Sequence, residues 1–400
     1  MTSTVDTAAP SRWAVPVLGF GTFAVGTCEF VLAGLLPQLS STLGVSIGAA
    51  GQVVTAFALT CALLAPVLAT VTASWQRRRV LVLATGVYLV GNVATALAPS
   101  FPLVIAAQVV AAAGAGLFVP TAAVTASALV PDDRRGRAIA AVTTGFTAAT
   151  AMGAPLGTAL GAFFGWRVTM WFVAGLAVLG LLGVLRLVPA EVATPAVEGL
   201  RQRLAPLGDR RVLVVLATTL IAFTAVYLPY TYIGAVFGPA TGGSGVRLAV
   251  LMFLLGVIGT VGNYLAGMLA DRFGSSRVVA SALVWLVVSL LVLPLTTGNF
   301  GLAMAEIAFY GIAAFAITTP QQHRLITLSP ESAPVLVSLN AAILYLAIAL
   351  SGILGAAGIA WSGPQLLGPI AAALAAVALL HAGFTWTNLP SRSQIATPIG

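Results

Sequence analysis

Apolar stretches of roughly 20 residues recur along the chain with short polar breaks between them, and each is long enough to cross a bilayer as a helix. The pattern predicts twelve spans over residues 14–37, 48–73, 80–98, 102–124, 138–163, 167–188, 212–236, 247–270, 278–296, 301–321, 335–360 and 365–387. Twelve spans of about 21 residues take up about 252 positions. The remainder makes short loops and leaves no room for a soluble domain.

The second half repeats the spacing of the first. A displacement of 198 residues lays 69–79, after span 2, on 267–277, after span 8, and brings spans 3 and 4 onto spans 9 and 10. The turn Val130-Pro131-Asp132 then meets Ser329-Pro330-Glu331 with a slip of one residue. Between the halves, residues 191–211 are polar, arginine-rich and contain Pro195 and Pro206, the composition of a linker. The predicted plan is an all-α integral membrane protein of two six-helix pseudo-repeats. It has a tail (1–13), a first bundle (14–188), a linker (189–211), a second bundle (212–387) and a second tail (388–400).

Composition agrees with this plan. Of 400 residues, 59% are hydrophobic and only 7% charged, against about 25% in an ordinary soluble domain. All 18 basic residues are arginine. Without lysine the chain has no P-loop cation for a nucleotide and no Schiff-base or pyridoxal anchor. Two histidines and two cysteines, with no CxxC or HExxH spacing, offer no metal site. Cys28 and Cys61 fall in apolar stretches and are expected to be small core residues.

The net charge of +8 sorts by side rather than by patch. Arg12, Arg77, Arg78, Arg79, Arg134, Arg135, Arg137, Arg186, Arg201, Arg203, Arg210, Arg211, Arg272, Arg277, Arg324 and Arg392 fall on one side of the spans. Only Arg167 and Arg247 fall on the other. By the positive-inside rule both termini are expected on the cytoplasmic side of the membrane. This distribution is not a nucleic-acid stripe. Trp13, Trp75, Trp166, Trp361 and Trp386 lie near predicted span ends, where amphipathic rings prefer the interface. Residues 1–12 lack the pattern of a cleaved signal peptide.

Several motifs carry a family resemblance. Span 1 contains Gly26-Thr27-Cys28-Glu29-Phe30-Val31-Leu32-Ala33-Gly34-Leu35-Leu36-Pro37, and the turn after span 4 is Val130-Pro131-Asp132-Asp133-Arg134-Arg135-Gly136-Arg137. Span 5 carries Gly145, Gly153, Pro155, Gly157 and Gly161. The second half holds Gly267-Met268-Leu269-Ala270-Asp271-Arg272-Phe273-Gly274 followed by Arg277. Together these resemble the twelve-span drug/proton antiporters of the major facilitator superfamily, in the chloramphenicol-resistance and arabinose-efflux branch, over essentially the whole chain. The first half keeps only the Arg77, Arg78, Arg79 run of the loop motif, with Ala69, Ala73 and Ser74 in place of the family's glycine, aspartate and arginine. Gln108 stands where the family commonly has an arginine. A neutral amide cannot stabilise a carboxylate's charge as a guanidinium does, so the family's proton mechanism does not transfer whole.

Of ten acidic residues only Glu29 and Glu306 sit well inside predicted spans, about 5 Å and about 7 Å outward of their middles. A charge at that depth is costly, and such residues face a bundle interior or a wet cavity. The resemblance implies that spans 1, 4, 7 and 10 line the cavity, so both carboxyls are expected to face it and carry protons. The repeat lays Glu306 on Gln108, an expected polar pair across the cavity. Tyr227 and Tyr230 share a face of span 7 with Pro229 between them, and Phe23 and Phe30 are expected to oppose them. The span 5 glycines are expected to seal or hinge the halves. Asp271 is expected to cap span 5 and hold the cytoplasmic side shut.

These observations predict a monomeric transporter driven by the proton gradient, with no cofactor, metal or nucleotide. Its substrate is expected to be a small amphipathic drug such as a chloramphenicol-like compound. The alternatives are efflux of a sugar or metabolite, which calls for a more polar cavity, and a transport-dead sensor. A membrane enzyme would need clustered His, Asp or Lys, which the spans lack.

Overall fold

The computed structural model describes residues 12–192 and 205–388. Both predicted tails apart from Arg12, Trp13 and Asn388, and the middle of the linker with Arg201 and Arg203, lie outside the described residues. Twelve helices among the described residues are long and apolar enough to cross a membrane. They are α1 Ala14–Leu43, α2 Ile47–Val71, α3 Arg77–Leu97, α4 Phe101–Ala128, α5 Asp132–Phe164 and α6 Trp166–Leu187 in the first half. In the second half they are α7 Arg210–Thr231, α8 Gly245–Phe273, α9 Ser275–Thr296, α10 Phe300–Leu328, α11 Pro330–Ser362 and α12 Leu367–Asn388.

The repeat is visible in the helix starts. A separation of 198 residues relates Ile47 to Gly245, Arg77 to Ser275 and Asp132 to Pro330, and relates Trp166 to Pro364, which opens the single 3-10 turn leading into α12. It also relates Gly165 to Gly363, which turn the chain between α5 and α6 and between α11 and α12 at φ 88° and 83°. That left-handed backbone strains any side-chain-bearing residue. Several helices extend beyond the predicted spans because polar residues complete their final turns. α1 runs to Leu43 and closes on Gly44, while Ser46 caps α2 by accepting from the Ala49 N–H at 3.1 Å.

Three helices are interrupted, each near a proline that removes a backbone donor. α5 contains a π-helical segment, Ala149–Gly153, two residues before Pro155. α10 breaks at Ile317 before Pro320. α7, with Pro229 inside it, stops at Thr231 rather than 236, and two short turns, Ile233–Val236 and Gly238–Thr241, lead to α8.

The halves meet on the arginine-poor side. There α2 packs on α11 and the outer part of α5 on α8. Hydrogen bonds from Gln52 to the Gly352 carbonyl, Thr158 to Met252 Sδ, and Tyr230 to the Phe30 carbonyl join the two halves between mid-membrane and that side. Tyr232 is fully buried in the seam, donating to the Gly352 carbonyl of α11 at 2.6 Å and lying 3.5 Å from the Gly48 carbonyl of α2. On the arginine-rich side the inner segment of α5, Arg135–Ala148, packs on α1 and α4 of its own half, and most of its residues are exposed. The molecule is closed on one side and open on the arginine-rich side.

Both arginines of the closed side serve the loops. Arg167 donates to the Ala98 carbonyl at 2.9 Å and lies over the Trp166 ring, and Arg247 lies over Phe300. Trp166 is buried beneath that guanidinium rather than placed at the interface, whereas Trp13, Trp75 and Trp361 are exposed. The side chain of Trp386 lies outside the described residues.

Candidate functional site

Glu29 is the sixteenth of the 30 residues of α1 and so sits at mid-depth, deeper than the sequence predicts, because the helix is longer. Its side chain is buried, at 7% exposure, and its Oε2 accepts from the hydroxyl of Tyr345 in α11 at 3.1 Å. That bond crosses between the halves. One residue along, the Phe30 carbonyl accepts from Tyr230 of α7 at 3.3 Å. Phe30 meets Tyr230 and Phe146 edge-on, with ring centroids 6.2 and 5.1 Å apart, and Tyr227 meets Tyr230 the same way at 6.1 Å. Offset and edge-on pairs of this kind favour a continuous aromatic wall. The predicted shared face of Tyr227 and Tyr230 is present. Phe23 instead stacks on Phe20 two turns from this wall and has no ring contact with the tyrosines.

Gln108 and Glu306 do not form the expected pair. Gln108 is fully buried inside the first half, its two amide hydrogens directed to Thr95 Oγ1 of α3 at 3.0 Å and Met170 Sδ of α6 at 3.9 Å, with its Oε1 lying 3.8 Å from the Cys28 sulfur of α1. The single Cys28 S–H is directed to Asn92 Oδ1 at 3.2 Å. An amide with partners on three neighbouring helices is satisfied there and has no donor left for a cavity. Glu306 takes a bond from Ser289 of α9 at 2.5 Å and shares a small cleft with Pro229, Tyr230, Ile233, Phe237, Ile307 and Tyr310. It lies within the second half, near the outer start of α10, and not opposite Glu29. The repeat does equate the two positions, since each anchors its helix to the preceding one.

The span 5 glycines also face inward. Gly145 abuts Gly19, Gly153 abuts Thr27, Gly157 abuts Val31 and Gly161 abuts Leu35, a ridge that packs along α1 of the same half. Pro155 is buried beside it. The close approach between halves comes from α8, where a Cβ on Gly256 would lie 2.5 Å from Ala151 Cα and one on Gly245 would lie 2.6 Å from Ala162 Cβ. Span 5 does meet the second half, as expected, but through Ala151 and Ala162 against the glycines of α8 rather than through its own glycines, because either helix offers small residues at suitable spacing.

Asp271 is exposed and makes no hydrogen bond or ion pair among the described residues, so it does not cap α5 in this conformation. Gly267 is uncrowded, Gly274 makes the α8–α9 turn at φ 87°, Arg272 lies over Phe273, and Arg277 is exposed. Arg78 donates to the Leu185 carbonyl at the end of α6, where a cation complements the helix dipole. Arg79 is exposed and Arg77 is partly buried. Among the described residues no three His, Cys, Asp or Glu side chains come together as metal ligands.

Tyr345, Tyr232, Phe146, Ser289 and Gly256 are absent from the predicted site. The available signal was a hydroxyl-bearing aromatic inside an apolar span, which demands a partner when buried.

The sequence model of the Major Facilitator Superfamily matches residues 18–352. The chain belongs to that superfamily. It is a multi-pass membrane transporter, not an enzyme. Among superfamily relatives, the uncharacterized MFS-type transporter YbcL of Bacillus subtilis is 31% identical over 93% of this chain and 96% of its own. The inner membrane transport protein YdhP of Escherichia coli K12 is 31% identical over 90% and 92%. A chloramphenicol resistance protein of Streptomyces lividans is 37% identical over 64% of this chain and 66% of its own. Solved superfamily structures share the fold. A crystal structure of the nucleoside transporter NupG matches with a TM-score of 0.74 at 13% identity, over 94% of this chain and 98% of its own. A D-xylose-proton symporter matches with the same score at 18% identity and the same coverage.

Proposed function

We propose that this transporter is a proton-driven exporter of small amphipathic organic compounds, with a chloramphenicol-like antibiotic as its first candidate substrate. The observation that carries this reading is Glu29, a carboxyl buried at mid-depth in α1 and bonded from the opposite half. The Streptomyces relative supports an antibiotic substrate. The wall of Phe30, Phe146, Tyr227 and Tyr230 supports an aromatic amphipath over a sugar.

The arginine-rich side is taken as cytoplasmic, so the described conformation is open to the cytoplasm. Here Glu29 gives up its proton and substrate enters against the aromatic wall. The halves then rock, the outer seam parts, substrate leaves outward and Glu29 takes a proton from outside. Each cycle exchanges an inward proton for an outward substrate. One proton crossing 100 mV carries about 2.3 kcal/mol, enough for roughly 50-fold accumulation. No cofactor is needed.

Glu306 is assigned to packing of the second half through Ser289, in place of the proton role expected from the sequence. The test is proton release from everted vesicles on adding chloramphenicol, alongside a susceptibility panel in an efflux-deficient host. Release with at least one compound to which the protein confers resistance is expected. No release with any compound overturns proton-coupled export and favours a sensor.

A further inference from the structure

The transport cycle assigns no role to Tyr345. Its ring is half-buried, whereas the carboxyl it contacts is buried, and 316 residues of chain separate the two. The titratable groups facing Glu29 are Cys28 on its own helix, Cys61 on α2, Tyr88 on α3, Tyr227 and Tyr230 on α7, and Tyr345 on α11. None is cationic. Most have already committed their protons: Tyr88 to the Ala24 carbonyl at 2.8 Å, Tyr230 to Phe30, Cys28 to Asn92, and Cys61 to the Ala112 carbonyl at 3.5 Å. Tyr345 is the neighbour whose hydroxyl is spent on the carboxyl, and it belongs to the opposite half.

We propose that Tyr345 is a lock on Glu29 that holds the two halves in the cytoplasm-open arrangement and is released by either of two events, protonation of Glu29 or arrival of a substrate hydroxyl or amide N–H at the same oxygen. The proposal rests on the exporter reading and deepens it by naming a substrate class: neutral aromatic amphipaths that carry a hydrogen-bond donor. A hydrogen bond to an ionised carboxylate is about twice as strong as one to a neutral group. The ionised carboxylate therefore grips Tyr345, and the neutral acid holds it weakly. A donor-bearing substrate competes for the oxygen directly. Both ligands thus act on the same contact between α1 and α11, so the second half responds to what binds the first. A ligand shifts such an equilibrium only through contacts that differ between the states, and this bond is such a contact. Tyr345 is a positioning residue that acts through Glu29.

The test uses the full chain in nanodiscs, as wild type, Tyr345→Phe, Glu29→Gln and the double variant. Tyr345→Phe keeps the ring and removes only the hydroxyl. Spin labels at Thr42→Cys and Trp361→Cys read the outer distance between α1 and α11 without substrate, and the buried native thiols stay unlabelled. In the wild type, raising the pH ionises Glu29, strengthens the bond and is expected to enrich the short outer distance. Tyr345→Phe and Glu29→Gln are each expected to flatten that response, and the double variant to add nothing further. A pH response in Tyr345→Phe equal to wild type overturns the lock.

Tritiated chloramphenicol is the binding probe. Tyr345→Phe is expected to bind it about fivefold more tightly, the worth of one net hydrogen bond removed from competition, while its turnover falls. Unchanged affinity for a probe that the wild type binds overturns the competition with substrate. If neither protein binds the probe but the pH response is lost in Tyr345→Phe, the lock stands and the chloramphenicol assignment falls.

Discussion

The hydroxyl of Tyr232 donates to the carbonyl of Gly352 at 2.6 Å, and the ring that carries it is fully buried where α2 of one half meets α11 of the other. The ring fits because Gly51 and Gly355 offer no side chains, and a Cβ at either position would fall inside its van der Waals surface. Gln52 adds a bond to the same Gly352 carbonyl at 3.3 Å. The outer gate is thus an aromatic plug in a glycine socket. The seam beside it also buries unpaired polar atoms, Thr55 Oγ1 and Gln38 Oε1. Each unpaired atom costs about 1–3 kcal/mol while the seam is closed, which lowers the free energy needed to part it.

Gly355→Ala is therefore expected to block full closure of the outer side. The seam is backbone against ring, and a core overpacked by a methyl loses about 1–3 kcal/mol. That shifts the closed-to-open ratio roughly fivefold or more. Spin-label distances between α1 and α11 should lengthen and export should fall. Unchanged distances would remove Tyr232 from the gate.

Glu29→Gln is expected to abolish drug-stimulated proton release while leaving the protein folded, because the amide keeps the volume and can still accept from Tyr345. Proton release in everted vesicles measures this, with thermal unfolding as the folding control. Export at the wild-type rate would make Glu29 structural.

Asp271 makes no contact with a described polar partner in the open form, so any gating role belongs to the opposite, cytoplasm-closed state. Asp271→Asn is expected to slow cycling several-fold and leave the order of preferred drugs unchanged. A resistance panel compares the two, and a reordered profile would contradict a purely gating role.

Glu306→Gln tests the packing assignment. With Ser289 as partner, the variant is expected to lose stability by about 1 kcal/mol and to keep the proton-to-substrate ratio of the wild type. Thermal unfolding and vesicle stoichiometry read the two effects separately. A halved proton ratio would return Glu306 to the coupling machinery.

The covalent sequence determined the number of spans, the sidedness of charge and the repeat. Lipid leaves a backbone no partner but its own helix, so apolar runs of about 20 residues announce themselves one by one. The 198-residue offset likewise survives in Gly165 and Gly363, where backbone geometry demands glycine. What the sequence could not determine is which face of each helix meets which neighbour. In a soluble protein the polar face marks the outside, but lipid is as apolar as a core, and hydropathy does not separate a lipid-facing leucine from a packed one. The inward turn of Gln108 toward Thr95, the partnership of Glu306 with Ser289, the span 5 glycines lying along α1, and the reach of Tyr345 to Glu29 were decided by tertiary packing alone. Sequence scarcity of charge pointed to Glu29 as costly and therefore purposeful. Only the fold showed that its partner comes from the other half.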